Sequence, residues 1–345
     1  MDRAKEIRSG EALNWGQLED YLRQAIPEIQ GKMSVAQFHG GHANLTYLLT
    51  FGAQEFVLRR PPFGKIAPGA HDMKREFRVL SKLFKHFPRA PRAYHLCEDK
   101  SIIGSPFVVL ERRTGVVVRT KIIDDFKSFE QVEKRLVDAM MKAMADLHQV
   151  DYQAAGLTDL GRSEGFVERQ LRGWSKRWEL SKTADNEHMD AVLNLLQSHI
   201  PAAQKVSIIH NDIKLDNCQF QADNPDEVTS IFDWDMCTLG DPLIDLGTSL
   251  SYYPDQKKKQ LENLPVQLQG DFPPKTFLLE KYQAYTGFSL DNIRWYEAFA
   301  YWKGAIVSQQ LFKRFQEGAS KDSRMARFES AMQEMAILAR ATLAE

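Results

Sequence analysis

Two short apolar runs that each end in acid constrain this chain more than any other feature. "VSIIH" (206–210) leads into "NDIKLDN" (211–217), and "VTSIFDW" (228–234) leads into "DMCTLGDPLIDLG" (235–247). Each run has the length and branching of a strand, so two strands deliver carboxylates at their C-terminal ends. The intervening "CQFQADNPDEVTS" carries Asn, Asp and Pro, which favour turns through side-chain to backbone hydrogen bonds and a preset φ. A hairpin-like return there brings Asn217 near Asp233 and makes an oxygen-rich site suited to Mg²⁺. Taken alone, each stretch also reads as a polar loop closing a buried strand.

The remainder of the chain divides by pattern. Leu13, Trp15, Leu18, Leu22 and Ile26 predict an N-terminal helix that stops at Pro27. "VAQFHGG", "LTYLLTF" and "EFVLRR" predict a three-stranded meander turning at Gly40-Gly41 and Gly52. After the Pro/Gly-rich loop 61–70, "HDMKREFRVLSKLFKHF" has the period of an amphipathic helix, and further strands are expected near 92–97 and 106–110. Beyond Gly115 helical periodicity takes over, at 129–150, 165–180, 188–199, 275–285, 291–315 and 323–343. Strand-rich then helix-rich patterning predicts an α+β chain.

Charge narrows the partners. The 45 Lys and Arg nearly cancel the 46 Asp and Glu, so no global field points to nucleic acid or an anionic membrane. The expected partner is a small molecule, with no nucleic acid and no membrane, and no oligomeric state is specified. Cys97, Cys218 and Cys237 are too few and too scattered for a disulfide framework or a zinc-finger spacing, and buried packing is expected for Cys218 and Cys237. A cytoplasmic protein is expected, since the start lacks an apolar signal region and no stretch approaches the roughly 20 apolar residues of a membrane span.

Phosphoryl transfer needs metal on the phosphates, a carboxylate to orient the attacking hydroxyl, and a cation near the transferring group. Asp212 fits as the hydroxyl-orienting base, Lys214 as the cation, and Asn217 and Asp233 as metal ligands. His210 is expected to brace the loop. Asp241 precedes Pro242 as a helix cap precedes a first-turn proline. Asp235 reads as a third ligand or as a solvated neighbour.

"HNDIKLDN", "IFDWD" and "GDPLIDLG" resemble the aminoglycoside phosphotransferase-like kinase family, whose catalytic loop reads H-G-D-x-x-x-x-N and whose metal aspartate opens D-W. "GGHANLTYLL", "FVLRRPPFGK", "HDMKREFRVL" and "GFVERQLRGW", in order along the chain, resemble the branch found alone in bacteria or fused to acyl-CoA dehydrogenases. The resemblance implies a two-lobed protein-kinase-like fold with ATP in the cleft. Residues 1–111 would form an antiparallel-sheet nucleotide lobe with its leading helix, and 112–345 a helical lobe with the catalytic loop, metal site and acceptor site. It implies that Gly40, Gly41, His42 and Asn44 belong to a phosphate-covering loop, that Glu111 of "VVLER" lies at the adenine hinge, and that Glu76 steadies the phosphate-binding basic residue. Gly40-Gly41 also reads as a plain hairpin turn. The matching basic residue is Arg59 in place of lysine, Asn211 replaces a glycine, and Ala43 replaces a common serine. Asp245 would buttress the catalytic loop.

The function expected is ATP- and Mg²⁺-dependent phosphorylation of a hydroxyl on a small molecule. Arg169, Arg172 and Lys176 share a helical stripe, which reads either as a solvated face or as a wall for an anionic acceptor. The branch suggests a hydroxy acid or hydroxyacyl compound. Trp174 and Trp178, and the set Trp295, Tyr301 and Trp302, read as core or as pocket. Arg59 and Asn211 suggest an alternative, a pseudokinase that binds nucleotide as a regulatory module. Phosphate-ester hydrolysis would leave Lys214 and the glycine loop without a role.

Overall fold

The computed structural model describes residues 4–39, 44–64, 71–119, 122–253, 271–318 and 323–344. Helix α1 (Trp15–Ala25) is capped by Asn14, which accepts from the Gln17 amide at 3.2 Å. Strands β1 (Met33–Phe38), β2 (Leu45–Phe51) and β3 (Gln54–Arg60) form the expected meander. With β4 (Ala93–Cys97) and β5 (Phe107–Glu111) they make a five-stranded antiparallel sheet of order β1-β2-β3-β5-β4.

Alternation along β2 and β3 sorts the side chains. Leu45, Tyr47, Leu49 and Phe51 join Phe56 and Leu58 against Leu18 and Leu22 of α1, forming an outer core. Successive strand residues face opposite sides, so Arg59 is left on the inner face. There the sheet meets α2 (Met73–Leu83), capped by Asp72 through the Arg75 amide at 3.0 Å. Val79, Leu80 and Leu83 of α2 pack with Val108 and Leu110 in a core that continues into the helical part.

The short α3 (Lys100–Ile103) lies between β4 and β5 and packs on α1; the helical part carries β6 (Val116–Val117), α4 (Val132–His148), α5 (Phe166–Ser181) and α6 (Glu187–Ser198). Next come β7 (Ser207–Ile209), β8 (Cys218–Gln221), β9 (Asn224–Ile231), β10 (Thr238–Gly240) and α7 (Leu243–Ser251). Helices α8 (Lys275–Thr286), α9 (Ile293–Gln316) and α10 (Phe328–Ala344) close the chain. The two acid-ended runs are not each other's partners. β7 pairs with β10, while β8 pairs with β9 and β6. The return is nevertheless made by β8 and β9: Cys218 lies opposite Ile231, and the Phe232 amide donates to the Asn217 carbonyl at 2.9 Å, which sets Asn217 beside Asp233.

Trp295, Tyr301 and Trp302 are core, since all three are buried and the indoles of Trp295 and Trp302 donate to carbonyls of Leu196 and Met189 on α6. Trp178 is buried too, whereas Trp174 is partly exposed. The three cysteines are buried free thiols. Among the described residues no helix is long and apolar enough to cross a membrane.

Candidate active site

The loop after β7 turns sharply because Asn211 adopts φ +72°, a left-handed conformation that Asn tolerates better than most residues. A glycine would turn equally well, but Asn211 also donates from Nδ2 to the Met236 carbonyl at 2.9 Å and ties the loop to the segment after Asp233. One side of α7 holds this loop at three points. The Asp245 carboxylate accepts the amides of His210 at 2.7 Å and Asn211 at 2.6 Å. Ser249 donates to the Ile213 carbonyl at 2.5 Å, and Tyr252, just past the helix end, donates to Asp212 Oδ1 at 2.7 Å. Spacings of four and three keep these groups on one stripe.

Asp245 is buried, which opposes its charge, but the hydrogen bond from His148 and the nearby imidazoles outweigh burial and hold its carboxyl below the usual range. His148 reaches it through Nε2 at 3.1 Å and bonds the Tyr282 hydroxyl through Nδ1 at 2.7 Å. His210 donates from Nε2 to the Phe232 carbonyl at 2.9 Å, and burial lowers its pKa. A neutral ring bonded to backbone is a brace. Asp241 accepts the Leu243 amide at 3.0 Å and bonds the Tyr296 hydroxyl, so it both caps α7 and ties it to α9.

Asp212 sits between opposed groups. Its Oδ2 accepts Asn217 Nδ2 at 2.8 Å and lies 3.1 Å from Lys214 Nζ. Burial works against the Lys214 ammonium, yet Asp212 and Asp216 outweigh it and raise its pKa. A carboxylate offers about four acceptor directions. Described side chains take three here, leaving one direction open.

The other side of the site is a buried ion cluster. Arg59 bonds Glu76 through Nη1 and Asp233 Oδ1 through Nη2, the latter at 2.7 Å. Burial opposes the guanidinium charge, but Glu76 and Asp233 more than compensate and its pKa rises. Burial pushes Glu76 up to about 7, with Arg59 pulling the other way. For Asp233 burial is outweighed by Arg59, so this carboxylate stays ionised. Asp235, partly buried beside it, is pushed up to about 6 by burial and by Asp233. Arg60 takes the opposite face of the strand: it is buried, donating to the carbonyls of Pro61 and Ile103, each at 3.1 Å.

Arg59, Glu76, Glu111, Asn217 and Asp233 line one cleft. The Glu111 carboxylate accepts the Arg92 amide at 2.9 Å and pairs with Arg113 at 3.1 Å. Asn44 is buried, with Oδ1 bonded to His71 Nδ1 at 2.8 Å. Gly40, Gly41 and His42 lie outside the described residues. Among the described residues no three His, Cys, Asp or Glu side chains converge as a metal cage. Mg²⁺ ordinarily takes one or two protein ligands and completes its shell with phosphate and water, so the ionised Asp233 with Asn217 beside it fits that ion.

Patterning did not reveal Tyr252, His148, Arg177 or Lys303. The first two were legible only as polar residues at helical spacing, Tyr252 in step with Asp245 and Ser249. Among the described residues the basic stripe of α5 makes no hydrogen bond or ion pair with Asp212 or Asp233. Arg172 and Lys176 are exposed, and Arg169 bonds the carbonyls of Arg162 and Glu164. The basic groups that meet Trp174 are Arg177, with its guanidinium carbon 4.4 Å from the ring centroid, and Lys303, with its ammonium at 5.5 Å.

Comparison with known proteins agrees with this geometry. Residues 34–285 match the model of the phosphotransferase enzyme family. The chain is 29% identical over 344 residues to mouse acyl-CoA dehydrogenase family member 10, covering 98% of this chain and 32% of that protein. It is 30% identical over 318 residues to human family member 11, covering 89% and 40%. It thus spans a third to two-fifths of these curated relatives. A Ralstonia eutropha structure, assigned provisionally to the aminoglycoside phosphotransferases, superposes with a TM-score of 0.78 at 29% identity, covering 96% of this chain and 99% of that one. Choline kinase from Cryptosporidium parvum shares the fold at a TM-score of 0.59 and 14% identity, covering 96% and 98%. A two-lobed kinase-like fold with the Asp212, Asn217 and Asp233 motifs in place therefore makes this chain a member of the phosphotransferase enzyme family, resembling the kinase-like part of acyl-CoA dehydrogenase family members 10 and 11.

Proposed function

We propose that the protein is a cytoplasmic small-molecule kinase that transfers the γ-phosphoryl group of ATP to a hydroxyl. The observation that carries this reading is the linked pair of sites: Asp212 with Lys214 and Asn217 on one side, and Asp233 with Arg59 and Glu76 on the other. Asp212 accepts a hydrogen bond from the acceptor hydroxyl and aims its oxygen at phosphorus. As the new P–O bond forms and the bond to the departing ADP oxygen breaks, the hydroxyl proton passes to Asp212. Lys214 neutralises charge on the transferring group, and Arg59, steadied by Glu76, holds the nucleotide phosphates. Asp233 and Asn217 would hold Mg²⁺, which when bound offsets phosphate charge. Residues 1–111, with Gly40, Gly41, His42 and Asn44 over the phosphates and Glu111 at the hinge, form the nucleotide lobe. Residues 112–345 carry the acceptor. Relatives named acyl-CoA dehydrogenases support an anionic hydroxy acid or hydroxyacyl acceptor.

A second reading, a nucleotide-binding pseudokinase, draws on one observation: Arg59 already occupies Asp233 Oδ1. Titrating ATP with and without Mg²⁺ separates the two. Asp233→Ala should lose the Mg²⁺-dependent part of binding, while Asp212→Ala keeps binding and loses turnover by a factor of about 10²–10⁴. Equal loss of nucleotide affinity in both variants would overturn the division of labour. Mg²⁺-dependent binding with no turnover on any hydroxylated metabolite would favour the pseudokinase.

A further inference from the structure

Lys303 is the basic group on the helical side that the phosphotransfer reading leaves without a task. It comes from α9, two turns after Tyr296. At that point α9 lies hard against α7: a Cβ on Gly247 would sit 2.6 Å from the Tyr296 carbonyl group, so only glycine allows the approach. This contact places the middle of α9 beside the helix that holds the catalytic loop. Helix α5 packs on α9 and contributes Trp174, partly buried, and Arg177, which is exposed beside that ring.

The ammonium of Lys303 is partly buried and makes neither a hydrogen bond nor an ion pair with the described residues. Among them it lies over the Trp174 ring, 5.5 Å from its centroid. Desolvation lowers its pKa, with Arg177 acting in the same direction, while Asp212 and Asp245 are near enough to pull the other way. An indole face compensates a cation only in part for the water it has lost. A second cation on the same ring adds repulsion. Such an arrangement is completed by an anion.

We propose that Lys303 and Arg177, carried on the Trp174 ring, form the anion-binding end of the acceptor site, so that the acceptor bears an oxyanion, carboxylate or phosphate, in addition to the hydroxyl that Asp212 receives. The assignment to the acceptor rests on the kinase reading; the anion site itself does not. Tyr252 and Lys214, whose ammonium lies 5.2 Å from the Tyr252 ring centroid, form the reacting end. Lys303 is thus a positioning residue that selects among hydroxyl compounds and takes no part in bond making.

Competitive acetylation of the intact protein with acetic anhydride, read by mass spectrometry, tests this without requiring turnover. Three probes are compared: 3-hydroxybutanoate, its uncharged amide and glycerol 3-phosphate. Either anion should slow acetylation of Lys303 several-fold relative to surface lysines, the amide should not, and Arg177→Gln should weaken the protection. Whichever anion protects more identifies the oxyanion source. No protection by either anion, or equal protection by the amide, overturns the proposal. Turnover supplies the second arm. Lys303→Gln should raise the KM for an anionic acceptor about tenfold, the weight of one charged contact, with the KM for ATP unchanged and Lys303→Arg restoring it. If the kinase reading fails, these turnover assays are silent while the labelling still decides.

Discussion

Arg59 and Lys303 are both cations withdrawn from water, and the protein treats them oppositely. Arg59 is clasped by Glu76 and Asp233 and its pKa rises; Lys303 has no anionic partner within bonding distance among the described residues and its pKa falls. The difference separates two ways of building a binding site. The Arg59 cluster is preassembled, with charges balanced within the protein, so a nucleotide bound there as proposed would compete for groups already engaged. In the proposed reading the acceptor side holds its charge uncompensated, and the ligand would complete it.

Removing Arg59 should break the comparison most severely. Arg59→Ala leaves Glu76 and Asp233 facing each other without their cation, and charged hydrogen bonds of this kind contribute about 1.5–3 kcal/mol each. We expect kcat/KM for ATP to fall roughly a hundredfold. Arg60→Ala provides the control: it should lower Tm through the lost carbonyl contacts and the Phe63 ring at 4.1 Å, and leave the KM for ATP unchanged. Equal effects of the two variants on ATP would refute the strand register.

A smaller effect should appear in the pH dependence of stability. Glu76 is raised from 4.5 to about 7 on folding, so between those values the folded state binds more protons than the unfolded one. Its contribution is full below 4.5 and is lost as pH rises to about 7, which makes stability fall with pH across that window. Glu76→Gln should flatten this segment in urea denaturation followed from pH 4.5 to pH 7; an unchanged slope would show that Glu76 titrates normally. The smallest effect belongs to the exposed stripe. Arg172→Gln with Lys176→Gln should leave both Michaelis constants within about twofold, since exposed charges contribute little. A large rise for an anionic acceptor would return that role to the stripe and sharpen the contrast with Lys303.

The elements that position Arg59 and Glu76 were largely legible beforehand. Turn residues and alternation gave the meander, and the facing of Arg59 against Arg60 follows from period two alone. Helix α7 was harder to see because Leu243 through Leu250 are all buried, so no polar face marks a period. Only its start, Asp241-Pro242, showed. Strand β6 is two residues long and β10 three, too short for a pattern, yet β10 is the actual partner of β7.

The sequence by itself determined the chemistry near the chain turn at 210–235: Asp212, Lys214, Asn217 and Asp233 lie within one strand-turn-strand unit, so local spacing brings them together. Tertiary structure alone decided which distant groups complete that unit. Arg59 meets Asp233 across 174 residues, Tyr252 meets Asp212 across 40, and Trp174 and Lys303 meet where α5 crosses α9. Periodicity reports which face of a helix is apolar, but it carries no information on which helix that face will meet. For that reason Arg172 and Lys176, whose stripe read either as a solvated face or as a binding wall, are exposed, while a lysine with no pattern around it lies on the helix packed against α7.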